Sequence, residues 1–497
     1  MNLKQMLEKT ARELPQKEAI ILGSRRVSYQ ELNETSNRVA NTLMGLGMKK
    51  GDHIAILQSD SPEWLTGYFG IIKAGGVVVV LNSRLKTSEL SFLLRDSDSK
   101  ILITERAFSQ VLSSILPTMP FLKHTIEADG DYYKRVVISS SSVPPVVEIK
   151  DEDEATIIYV AGASGKPKGA VHTHASIASA FPTFSEGLEQ KKEDIVINPI
   201  PLSSALSLII ATQVSFMKGS TLVIVPRFTP RAILETVEKK RGTILYGVPA
   251  MHNALATLDE EILARYDLNS LKMAVTAGAK SIPDLLKRFE DKLGLTLCEM
   301  YGLTEYFIIS MGTLRNRKLG TAGKPIGDVK TIDDSEKEVP QGMVGKVIAK
   351  GPYMMKGYYK MPQVTAQVIK DGYFHTGNSA KIDEDGYLSI VEEESLTIVT
   401  SAGINISATE VENVLLEHPS IAEAALVGIP NRLKGQIPTA FIVLKEGKGT
   451  TEREIRSFCR QKLADFKLPR RINFVDNLPK TGSGEIDRKQ IREKQRR

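Results

Sequence analysis

Only two cysteines, Cys298 and Cys459, occur in 497 residues. They lie far apart in the chain, which argues against a disulfide framework and fits a reducing compartment. No apolar run approaches the roughly 18 residues needed to cross a bilayer. The run from Val77 to Leu81 is short and reads as a buried strand. The opening residues, Met1-Asn2-Leu3-Lys4-Gln5-Met6, lack the apolar core of a signal peptide. A cytoplasmic protein with no transmembrane segment is expected. The net charge is only +6, and the basic residues are spread along the chain, which argues against nucleic acid as a partner. The one concentrated basic stretch is the tail from Lys489 to Arg497. It reads as the solvated end of a last helix before it reads as a binding tail. Internal repeats and low-complexity segments are also missing.

The length exceeds what one core fills, so two or more domains are expected. A composition of 42% hydrophobic and 25% charged residues is ordinary for a globular protein. Ser28 is a plausible helix N-cap, with Glu31 three residues later. Beyond it, apolar runs alternate with helical periods: His53–Leu57, Val77–Val80, Lys100–Thr104, Thr156–Tyr159, Ser220–Val225 and Met273–Thr276. That alternation predicts α/β layers with largely parallel strands. The segment from Pro117 to Lys150 reads as irregular connecting structure. From about residue 320, Gly and Pro become frequent and the apolar runs shorten, which predicts a β-rich subdomain over about 320–381. Acidic turn residues at Asp383–Asp385 then precede a compact βαβ-like remainder with helices near 409–417 and 452–465. The expected division is a large N-terminal α/β domain, 1–381, and a small mobile C-terminal α+β domain, 382–497, with a hinge at Lys381–Asp383.

The most informative stretch is Tyr159-Val160-Ala161-Gly162-Ala163-Ser164-Gly165-Lys166-Pro167-Lys168-Gly169. It follows an apolar strand. Its glycines let the backbone turn tightly and point amides at phosphate, and its two lysines add charge. It is not a P-loop: Pro167 stands where a magnesium-binding hydroxyl is needed. Taken alone, it could be a glycine turn with exposed lysines.

It does not stand alone. The stretch resembles the phosphate loop of the adenylate-forming superfamily: acyl-CoA synthetases, adenylation domains of peptide synthetases, and luciferases. The resemblance covers essentially the whole chain, in order. Thr276-Ala277-Gly278-Ala279-Lys280 resembles the adenine-binding turn. Tyr301-Gly302-Leu303-Thr304-Glu305 matches the Tyr-Gly-x-Thr-Glu motif. Gly320–Pro325, Gly351–Tyr358, Gly372–Gly377 and Leu478–Gly484 match the later motifs.

The resemblance implies a two-step reaction. A carboxylate attacks the α-phosphate of ATP, giving acyl-adenylate and pyrophosphate; a thiol, usually that of coenzyme A, then displaces AMP. Both reactants of the first step are anionic, so positioning and charge stabilisation dominate. The glycine loop would hold the β- and γ-phosphates, with Ser164 and Gly165 in it and Lys166 and Lys168 supplying charge. Tyr301 would stack on adenine, with Gly278, Ala279, Lys280 and Gly302 around the nucleotide. Thr304 would reach the α-phosphate, and Glu305 would hold Mg²⁺. Without the motif, Glu305 would read as an exposed helix-start carboxylate. Ser204, Val248, Pro249 and Leu303 would line an acyl pocket for an apolar acid, unless they are plain core. Gly403 falls where the family loop lines the pantetheine tunnel after the small domain rotates. The implied partners are a small carboxylic acid and coenzyme A, with the protein a monomer or homodimer.

Several positions depart from the pattern. Asn378 replaces the aspartate that grips the ribose hydroxyls, so the charge and one acceptor oxygen are lost. Glu392-Glu393-Glu394 fills the place of an arginine after the hinge, and no Lys or Arg lies between Lys381 and Arg432. Glu485 stands where the family lysine bridges the carboxylate and the α-phosphate. Ser204 stands where many acyl-CoA synthetases have a histidine. These changes strip positive charge from around one ligand. The sequence therefore supports an AMP-forming acid–thiol ligase. The alternative is a non-adenylating relative that binds nucleotide, acyl group or CoA, or performs only the thioester half-reaction.

Overall fold

A computed structural model describes residues 1–162, 166–278, 283–391, 397–399, 405–431, 435–480 and 486–495. The chain divides into two units: Met1–Ser83, Leu94–Tyr159 and Gly169–Val391 form one, and Arg84–Leu93, Val160–Lys168 and Glu392–Arg497 the other.

The first unit is built on two large, mostly parallel sheets and a smaller antiparallel one. In the seven-stranded sheet, Val77–Val80 lies between His53–Leu57 and Glu154–Val160 and is parallel to both. Every residue of the Val77–Val80 strand is buried. This is why the strand reads as a continuous apolar run and not as an alternation. The nine-stranded sheet carries Met273–Thr276 between Ile244–Gly247 and Thr296–Leu303, again all parallel. Helices pack on these faces, and several start where the sequence signals them. Ser28 caps the helix Tyr29–Gly45 with Glu31 returning the bond, the expected capping box. The β-rich subdomain is present as a five-stranded antiparallel sheet around Val344–Lys350 and Tyr373–Ile382.

Residues 117–150 are more ordered than expected. His124–Glu127 is a strand parallel to Ile101–Thr104, and Tyr133–Val137 forms a π-helix. The strand escaped sequence reading because it is four residues long and only Ile126 in it is buried. Leu388–Val391 pairs antiparallel with Tyr373–Ile382 through a turn at Asp383–Gly386. The chain up to Val391 is thus built into the first unit's sheet.

For the site, strands are labelled β1 (Lys168–Thr173), β2 (Ile244–Gly247), β3 (Met273–Thr276), β4 (Thr296–Leu303), β5 (Tyr306–Met311), β6 (Gly357–Tyr358) and β7 (Tyr373–Ile382). Helix α1 is Pro249–Ala256.

In the second unit, Ile421–Asn431 pairs antiparallel with Gly435–Leu444, which pairs parallel with Arg471–Phe474. The crossover helix Glu452–Lys462 completes the expected βαβ unit. Its core gathers Val411, Leu415, Leu426, Ile442, Ile455 and the buried Cys459. Nη2 of Arg488 reaches both oxygens of Glu412, at 2.9 and 2.8 Å, and Glu412 also accepts from the Leu426 N–H. Lys467, 7% exposed, sits between Glu89 and Glu410. Residues 489–494 of the basic tail lie in the helix Arg488–Lys494, seated by Ile491 against Val427 and Phe441. No described helix is long and apolar enough to cross a membrane.

Candidate active site

The Tyr-Gly-x-Thr-Glu residues form the end of a β-hairpin. Leu303 of β4 pairs with Tyr306 of β5, so Thr304 and Glu305 are the two residues of the turn. The expectation of a helix start at Glu305, made for the residue in isolation, is corrected: the motif sits on a hairpin. The ladder slips between Tyr301 and Leu303, marking a bulge at Gly302. A Cβ on Gly302 would run into the Phe307 carbonyl, so only glycine fits this close crossing of backbone.

Three contacts from distant parts of the chain hold this turn. His172 of β1 bonds the Thr304 carbonyl through Nε2 at 2.7 Å. The Glu305 carbonyl accepts from the Met355 N–H at 2.8 Å. The Tyr358 hydroxyl of β6 donates to Glu305 Oε1 at 2.7 Å. Tyr358 is buried and its acidity is suppressed, first by burial and then by the Glu305 carboxylate. His172 is wholly buried, which lowers its pKa to about 4 and keeps the ring neutral; the Thr304 carbonyl pulls the other way. The imidazole also stacks on Phe307, with ring centroids 4.1 Å apart.

Tyr301 meets Asn378 across the chain: its hydroxyl donates to Asn378 Oδ1 at 2.9 Å. A second bulge makes this possible. The β7 ladder is irregular opposite Val347, where Gly377 takes φ +72°, and the Asn378 N–H bonds Thr376 Oγ1. Burial pushes the Tyr301 hydroxyl's pKa up, so it remains a donor. Both residues are legible in the sequence; their pairing is not.

Of the other expected nucleotide residues, Gly278 turns out of β3 at φ +82°, and a Cβ there would lie 3.8 Å from Val248 Cγ1. The expected adenine turn and one expected acyl-pocket residue are therefore neighbours. Val248 is 3% exposed and immediately precedes Pro249, the first residue of α1. Ser204 is half-buried in the turn before the π-helix Leu206–Gln213, its carbonyl bonded by the Leu208 N–H. Leu303 is half-buried at the end of β4. Lys166 is exposed and Lys168 begins β1; both belong to the second unit. Ser164, Gly165, Ala279, Lys280, Gly403 and Glu485 lie outside the described residues, as do Glu392, Glu393 and Glu394.

Among the described residues, one oxygen of the Glu305 carboxylate is bonded and the other is open. Tyr358 takes Oε1, and among the described residues no hydrogen bond or ion pair reaches Oε2. No group of three or more His, Cys, Asp or Glu side chains is placed to hold a metal among the described residues. Two residues that contact the turn are not legible as such in the sequence, His172 and Tyr358. Tyr358 closes a motif that was recognised. The signal for His172 was its place on the strand that leaves the glycine loop.

Comparison with known proteins follows the same outline. Residues 7–359 match the family described as AMP-binding enzyme, and residues 410–485 the AMP-binding enzyme C-terminal domain. A feruloyl-CoA synthase from an Amycolatopsis species is 32% identical, over 97% of this chain and 96% of its own. A long-chain fatty acid–CoA ligase from Mycobacterium tuberculosis is 30% identical, over 99% and 98%. The structure of an amide bond synthetase from Marinactinospora thermotolerans superposes with a TM-score of 0.90 at 26% identity, covering 99% of both chains.

Proposed function

The chain belongs to the AMP-binding enzyme family, and on that premise we propose that it is an ATP-dependent, AMP-forming ligase joining an apolar carboxylic acid to coenzyme A. The carboxylate oxygen bonds to the α-phosphorus and pyrophosphate leaves. The thiol sulfur then bonds to the acyl carbon and AMP leaves. The observation that carries this reading is the hairpin turn Thr304–Glu305, held from three sides with the Glu305 carboxylate half-exposed. Thr304 would meet the α-phosphate and Glu305 the Mg²⁺, which neutralises the phosphates when bound. Tyr301 and Gly278 would hold adenine, Asn378 the ribose, and Lys166 and Lys168 the outer phosphates. Val248, Pro249, Leu303 and Ser204 would face the acyl group; Val248 is buried, and this favours an apolar acid. The names of the feruloyl and fatty-acid relatives support that class. A rotation of the C-terminal part, with Gly403 at the pantetheine, would run the second step in the same place.

A second reading is favoured by one contact. Asn378 is neutral and offers one acceptor oxygen where a carboxylate offers two, and the Tyr301 hydroxyl takes one of that oxygen's two lone pairs. With Glu485 in place of the bridging lysine, this supports a family member that binds nucleotide or acts only on a preformed acyl-adenylate. Pyrophosphate release with Mg-ATP and a panel of aliphatic and aromatic acids separates the two. Release with an acid supports the ligase. If no acid gives release but a synthetic acyl-adenylate is converted to acyl-CoA, the ligase reading fails and the second stands.

A further inference from the structure

We propose that His172 is a positioning residue for the nucleotide reaction, fixing the Thr304–Glu305 turn through the Thr304 carbonyl. The proposal rests on the ligase reading of that turn. A peptide carbonyl can only accept, so at 2.7 Å the Nε2 atom must carry the proton. Nδ1 then presents a lone pair 3.1 Å from the Ser176 hydroxyl, whose one proton is shared between Nδ1 and the Thr173 carbonyl, also at 3.1 Å. Ser176 is itself fixed, because its Oγ caps Thr173 in the capping box that opens the helix His174–Ala178. The ring plane is set by Phe307, the second residue of β5. The imidazole therefore has one tautomer and one orientation.

The bond matters because of where the carbonyl sits. Thr304 and Glu305 lie beyond the last ladder pair of the hairpin, Leu303 with Tyr306. Releasing the Thr304 carbonyl frees ψ of Thr304 and φ of Glu305, so the turn that carries the Thr304 hydroxyl and the Glu305 carboxylate can take other geometries. His172 is 132 residues away in sequence, on the strand that begins at Lys168, and its N–H opposes that release. The Met355 N–H holds the following carbonyl. Together they fix both ends of the turn without touching the expected ligand atoms.

The test uses the full chain and titrates Mg-ATP and adenosine separately by calorimetry, alongside thermal unfolding. His172→Leu keeps the bulk but removes the donor. It should weaken Mg-ATP by about tenfold, a loss of roughly 1.4 kcal/mol, and leave adenosine binding within about twofold. His172→Gln, which can still present an N–H, should recover most of the loss. Unchanged Mg-ATP affinity in His172→Leu overturns the proposal. So does an equal loss of Mg-ATP and adenosine affinity with a lowered melting temperature, since that marks a purely structural role. If His172→Leu does not fold, Ser176→Ala serves: weakened Mg-ATP with intact adenosine binding supports the proposal, and no change overturns it. A wild-type chain that binds neither nucleotide overturns the ligase reading itself, and this inference with it.

Discussion

The Tyr301 hydroxyl donates to Asn378 Oδ1 at 2.9 Å, across 77 residues of sequence. The residue expected to stack on adenine and the residue expected at the ribose therefore lock each other. This orients both, and it leaves Asn378 one acceptor lone pair on Oδ1 and its N–H₂ group to offer a ribose hydroxyl.

A carboxylate at 378 would keep the tyrosine bond and gain a second, charged acceptor. Asn378→Asp is expected to tighten Mg-ATP by about tenfold, the range of a charge-assisted hydrogen bond over a neutral one. Calorimetry reads this directly. Combined with Glu485→Lys, it should raise pyrophosphate release further. Unchanged affinity in the single variant would mean that residue 378 does not meet the ribose.

Gly302 is a second point of leverage. A Cβ there meets the Phe307 carbonyl, a backbone atom that cannot move aside alone. Gly302→Ala should cost about 2–3 kcal/mol of stability and abolish Mg-ATP binding by displacing the turn. A variant that melts and binds like the wild type would show that the hairpin relaxes around the methyl group.

Three buried histidines predict acid sensitivity. Burial lowers the pKa of His172 and His174 to about 4 and that of His252 to about 3. The unfolded chain takes up these protons near the ordinary value of about 6.5, before the folded one does. The stabilisation is therefore complete above pH 6.5 and is lost as pH falls toward 4. Each group contributes a slope of up to roughly 1.4 kcal/mol per pH unit in that window. Urea midpoints between pH 7.5 and 4.5 should fall accordingly, and His174→Gln should flatten the slope by about one proton. A flat profile would refute the neutral buried state.

The pair Glu412–Arg488 is the corresponding test in the second unit. Glu412 is 7% exposed and takes two bonds from Arg488 and one from the Leu426 N–H. Glu412→Ala leaves a half-buried guanidinium without its partner and should cost about 3 kcal/mol, the lower end for a buried pair. Replacing both partners by apolar residues, Glu412→Met with Arg488→Leu, should cost far less. Urea unfolding of both full-length variants decides it, and equal losses would contradict the ion-pair account.

The sequence by itself determined the order of motifs, the parallel strands, the capping box at Ser28 and the last helix. These are local: an apolar run, a glycine or a cap acts over a few residues, and its pattern survives in one dimension. The four-residue strand His124–Glu127 carried too little pattern to show. The tertiary structure alone decided which motif residues meet. Tyr301 reaches Asn378 because two bulges, at Gly302 and near Gly377, turn distant strands toward each other. His172 reaches Thr304 because β1 and the β4–β5 hairpin come together in one unit. Such bonds depend on sheet order and register, which are set by the packing of the whole unit and not by any local stretch of chain.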